Sequence, residues 1–72
     1  MIPDQMLEAK VKTELGVREL ADKGDIKVQS ENGTITLLGE VDSLDTKKAV
    51  EDAALSVMEV VGVDNQLQTK EL

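Results

Sequence analysis

The 72-residue chain has no cysteine, no histidine and no aromatic residue of any kind. Each absence removes a class of function. Without cysteine there is no disulfide and no thiolate metal site, and an oxidising compartment is allowed but not implied. Without histidine, the serines at 30, 43 and 56 have no imidazole to activate them, so the usual general-base and nucleophile systems are missing. Without aromatic rings there is no platform on which bases could stack, and the core must be aliphatic. Basic residues are also scarce. Eight Lys and Arg stand against fifteen Asp and Glu, for a net charge of −7, and Lys47-Lys48 is the only adjacent basic pair. Nucleic acid rewards clustered cations through counterion release, so it is not expected as a partner. Strong electrostatic attraction to anionic lipid is not expected either. The acidity reads first as solubility.

Long hydrophobic runs are missing too. The longest is Ala53-Ala54-Leu55, against the roughly 20 apolar residues that span a bilayer, so no transmembrane segment is predicted. The start, Met1-Ile2-Pro3-Asp4, lacks the charged-then-apolar order of an export signal. That leaves two readings, a cytoplasmic protein or an exported one whose signal has been removed.

What is present suits a soluble globular fold: 40% apolar and 32% charged residues. The length predicts one domain, residues 1–72. Such a domain buries only about 60% of the surface its unfolded chain exposes, which leaves no room for a deep catalytic cleft plus a core to support it.

Leu7, Val11 and Leu15 recur every four residues and predict a helix. Asp4 is placed to cap its start and Gly16 to stop it in a left-handed conformation. A short turn from Arg18 to Asp22 follows, with Leu20 facing inward. Ile26, Val28 and Ser30 then alternate with Lys27 and Gln29, and Ile35, Leu37, Gly39 and Val41 alternate with Thr36, Leu38 and Glu40. Asn32-Gly33 lies between, the dipeptide that tolerates positive φ at both central positions of a type I′ hairpin turn. Gly39 inside a strand implies a bulge or the close approach of a neighbouring backbone.

Asp42 or Ser43 caps a second helix with Val50, Ala53, Ala54, Val57 and Met58 on its apolar stripe. Val60 and Val61 lead through Gly62 into a last strand, with Val63, Asn65, Leu67 and Thr69 on one face and Gln66 and Gln68 on the other. Residues Lys70 to Leu72 are expected to fray. The predicted class is α+β, an α-β-β-α-β two-layer sandwich. Its three-stranded mixed sheet has order 1-2-3, with both helices packed on one face, and strand three runs parallel to strand two.

This order, with its glycines, resembles the BON domain, a bacterial module of about this length. The resemblance runs from Val11 and Leu15 through Ile26-Lys27-Val28 and the stretch Asn32 to Val41. It continues through Ala49 and Ala53-Ala54 to Val60, Val63, Asn65 and Leu67. Gly33, Gly39, Val41, Gly62 and Asn65 carry its structural motif. The family usually has Gly-Val before the last strand, where this chain has Glu59-Val60. The resemblance implies a non-catalytic binding module of periplasmic, outer-membrane or secreted proteins, associated with the envelope and osmotic stress. It implies a phospholipid surface or an envelope protein as partner; a cytoplasmic protein–protein adaptor is the alternative.

The residues themselves offer no chemistry to set against that. Asp42 and Asp45 at the start of the second helix could in principle hold a hard cation, but they read more simply as charge suited to the helix dipole. No cofactor, metal or catalytic residue is expected. Three surfaces are candidates for a partner. One is the helix-free sheet face, polar except for Leu38. Another is an exposed strand edge, through which a weak homodimer could form. The third is the turn carrying Val60 and Val61, which reads either as a lid on the core or as a membrane-facing patch.

Overall fold

The computed structural model describes residues 3–70. The predicted helical stripe forms α1 (Asp4–Val17), and Leu7, Val11 and Leu15 are all buried. Two details of its ends differ from expectation. Pro3, not Asp4, is the N-cap, and no side chain caps the first turn. Asp4 is the first helical residue, where its charge still suits the positive helix end. At the other end Gly16 stays helical. Glu19 takes the left-handed conformation instead (φ 59°). The Leu20 amide bonds the Leu15 carbonyl at 2.8 Å and the Glu19 amide bonds the Gly16 carbonyl at 3.0 Å, the paired bonds of a Schellman motif. Burial of Leu20 against the core draws the chain into this closure one turn later than the glycine suggested. A 3-10 turn, Ala21–Lys23, leads to the sheet.

β1 (Gly24–Glu31) and β2 (Thr34–Val41) pair antiparallel over eight residue pairs with no bulge. Their two-residue connection has φ 52° at Asn32 and 86° at Gly33, the backbone a type I′ turn requires. At Gly39, φ is +118°, and a β-carbon placed there would lie 1.8 Å from the Asp25 carbonyl oxygen. Close backbone approach, rather than a bulge, is therefore what this glycine permits.

α2 (Leu44–Leu55) starts at Ser43, whose hydroxyl oxygen accepts from the Thr46 amide at 3.1 Å. Val50, Ala53 and Ala54 are fully buried. The helix ends before Met58, which leaves the predicted stripe and is 93% exposed. Val57 still packs partly against the core. Thr46, one turn before Val50, is buried instead.

The last strand is two segments, β3 (Gly62–Asn65) and β4 (Gln68–Thr69), both parallel to β2. The sheet thus has four strands where three were predicted, in the path β1-β2-β3 with β4 also on β2. The shift relative to β2 is the same before and after the gap, so no residue is inserted. At the interruption Asn65 Oδ1 accepts the Leu67 amide at 3.2 Å, an amide that faces away from β2, while the Gln66 amide still donates to the Leu37 carbonyl at 2.9 Å. Side-chain alternation survives, with Leu67 buried and Gln66 and Gln68 exposed. One core joins Leu7, Val11 and Leu15 of α1 to Val28, Ile35, Leu37 and Val41 of the sheet and Val50, Ala53 and Ala54 of α2. Both helices therefore share one face, and the α+β two-layer arrangement is as predicted.

Candidate functional site

Three pieces of the chain meet at one end of the sheet: the hairpin turn, the first turn of α1, and the connection from α2 to β3. The Val61 amide donates to the Gly33 carbonyl at 2.8 Å. A β-carbon on Gly33 would lie 2.8 Å from Val61 Cγ2, so glycine both makes the turn and lets Val61 lie against it. Here a shallow cleft of about 730 Å³ is lined by Pro3, Leu7, Gly33 and Val61, with the carboxylates of Asp4 and Glu59 alongside. Glu59 is held in place by Lys10 of α1, whose Nζ donates to Oε2 at 2.7 Å. This hydrogen bond keeps the Glu59 carboxyl below its ordinary pKa, helped by a bond from its own backbone. An exposed ion pair of this kind contributes little to stability by itself, but it fixes the connection against α1.

The predicted partner residues do not converge. Val60 packs partly against the core and acts as a lid. Val61, its neighbour, is 81% exposed. Leu38 is half-buried on the opposite, helix-free face, cross-strand from Lys27. Of the motif residues, Gly33 belongs to the cleft, while Gly39 and Val41 serve the sheet, Val41 fully buried. Gly62 begins β3 with open space around its α-carbon and no positive φ, so nothing in the structure explains a glycine there. Gly16 is likewise unconstrained. Asn65 joins layers: its Nδ2 donates to the Lys47 carbonyl at 3.0 Å and to Glu51 Oε1 at 3.1 Å on α2.

Sequence reasoning placed Met58 in the core and so missed the second exposed apolar side chain of this connection. The signal was the charged Glu59, which breaks the valine-rich run just where the chain turns. The Asp42 carboxylate accepts from the Thr46 hydroxyl, which lowers its pKa, with a smaller contribution from Lys23. It braces the start of α2. Among the described residues no group of three or more acidic side chains could hold a metal ion, and no helix is long and apolar enough to cross a membrane.

The chain that folds in this way, with a leading helix, a glycine-punctuated hairpin and a helix returning to a parallel last strand, matches a family model over residues 3–71: the BON domain. The chain belongs to the BON domain family. No curated protein matches it. BON domains are non-catalytic binding modules of membrane- and envelope-associated proteins.

Proposed function

We propose that this BON domain binds a phospholipid surface at the bacterial envelope, from the periplasmic side, and meets the membrane with the connection between α2 and β3. The observation that carries the reading is the exposure of Met58 (93%) and Val61 (81%) on one short connection beside the cleft. Two apolar side chains entering the interface supply only about 3–6 kcal/mol before ordering costs. That corresponds to weak, reversible attachment. The net charge of −7 disfavours anionic lipid, so zwitterionic surfaces are the better match.

Co-sedimentation with phosphatidylethanolamine-rich vesicles tests the idea. The expected result is pelleting that disappears when Met58 and Val61 are both changed to serine and falls as anionic lipid is added. Absence of binding to every vesicle composition would defeat the reading. The competing function, an adaptor that meets a protein partner, is favoured by a different observation, the long outer edge of β1, which among the described residues pairs with no strand besides β2.

A further inference from the structure

The two edges of the sheet are unlike. The β3–β4 edge is short and interrupted, whereas β1 runs for eight residues, and among the described residues only β2 pairs with it. In a hairpin with a two-residue turn, Glu31 and Thr34 form the first hydrogen-bonded pair, so Asp25, Lys27 and Gln29 also bond to β2. The amides of Ile26, Val28 and Ser30 therefore point away from the sheet. One of them is occupied: the Ser30 amide donates to Glu8 Oε2 of α1 at 3.0 Å, and the Ser30 hydroxyl donates to Asp4 Oδ1 at 3.2 Å. The Glu8 carboxylate sits where the carbonyl of an added strand would bond. A charged side chain on an edge is a known way of keeping it from pairing.

The helix-free side of β1 reads Asp25, Lys27, Gln29, Glu31, all exposed. That order selects a partner. Two copies of β1 can pair antiparallel with outward amides facing each other about a twofold axis at Ile26, Lys27, Val28 or Gln29. The axis at Lys27 sets two lysines opposite each other. The axis at Val28 sets Asp25 against Glu31 of the second copy. The axes at Ile26 and Gln29 oppose no like charges: the first sets Asp25 against Lys27 of the second copy, the second Lys27 against Glu31, each twice by symmetry. Of these two, only the Gln29 register uses the Ser30 amide, the one that Glu8 guards. Opposite charges across a strand pair stabilise it and like charges destabilise it. A groove of about 630 Å³ bordered by Glu8, Lys12 and residues 26–30 runs beside this edge.

We infer that β1 is a self-association edge, on which a second copy of this chain adds its own β1 in the Gln29-centred register, held in check by Glu8. Pairing must displace Glu8 from the Ser30 amide, so association is weak and concentration-dependent. The inference does not depend on lipid binding.

Sedimentation velocity into the high micromolar range, with circular dichroism to verify folding, provides the test. Self-association is expected to weaken about tenfold in Lys27→Glu, because two cross-strand attractions become repulsions. It should recover when Lys27→Glu is combined with Glu31→Lys, and strengthen in Glu8→Ala. The inference is overturned if the parent chain and Glu8→Ala both stay monomeric throughout. It is equally overturned if a dimer forms that Lys27→Glu leaves unchanged, or if the folded double swap fails to recover.

Discussion

The β1–β2 hairpin and the β3–β4 return strand lie in the same sheet and are held by different physics. The hairpin is local. Eight consecutive pairs follow from one two-residue turn, and period-two alternation decides which side chains are inward. The return strand reaches β2 only after a helix has crossed the sheet, and it is broken into two short segments. Beyond its ladder bonds, one half-buried side chain ties it to the layer above: Asn65 takes the Leu67 amide with its oxygen and two acceptors on α2 with its nitrogen. The contrast teaches that a strand with strong local turn chemistry needs little from its surroundings. A strand without it depends on specific polar contacts to the layer above.

The largest break in this comparison should come from Gly39→Ala. The substitution brings a β-carbon into the Asp25 carbonyl and holds a non-glycine residue at φ +118°. A cost of more than about 3 kcal/mol is expected, comparable to the whole stability of a domain this size. Loss of the cooperative thermal transition by circular dichroism would show it, and a folded, undiminished variant would contradict the close-approach argument.

A smaller and more selective effect is expected from Asn65→Ala. It leaves a part-buried α2 carbonyl and the Leu67 amide without their side-chain partner, at about 1–3 kcal/mol by urea unfolding. Hydrogen exchange should quicken at β3–β4 while the amides bonded between β1 and β2 keep their protection. Uniform loss of protection across the sheet would mean that the two regions are not separable.

The smallest effect sharpens the same contrast with acid. Asp42 and Glu59 have folded-state pKa values lowered by Thr46 and Lys10 respectively. Their stabilisation is therefore present above the ordinary carboxylate pKa and is lost as pH falls through the folded values. Both lie on connections to α2, so acidification should loosen the return side before the hairpin. Replacing Glu59 with Gln should flatten the fall in melting temperature below the ordinary carboxylate range. An unchanged acid profile would show that the Lys10 tie contributes nothing.

The hairpin could be read almost residue by residue. Asn32-Gly33 and the alternation around it have local backbone reasons, whereas Gly39 left a bulge or a close approach open until the structure placed the Asp25 carbonyl against it. The helices were legible through their stripes, but their ends were not. Gly16 pointed to a stop that Glu19 makes, because partial burial of Leu20 just past the helix end goes with the closure falling there. Met58 fitted the stripe of α2 by spacing, yet the helix ends before it and leaves it in solvent. At the candidate site, Val60 and Val61 were neighbours with the same side chain and opposite fates. No period distinguishes them at a turn, where the chain direction changes between one residue and the next.

Composition and pattern alone determined that this chain has an aliphatic core, two amphipathic helices, a tight hairpin and no histidine- or thiol-based chemistry, because these depend on residue types and short-range periodicity. Only the tertiary structure decided which carboxylate guards the β1 edge, which valine reaches solvent, and that Asn65 ties the last strand to α2. Those outcomes depend on groups far apart in sequence, Glu8 with Ser30, Val61 with Gly33, Asn65 with Lys47, being brought within bonding or contact distance.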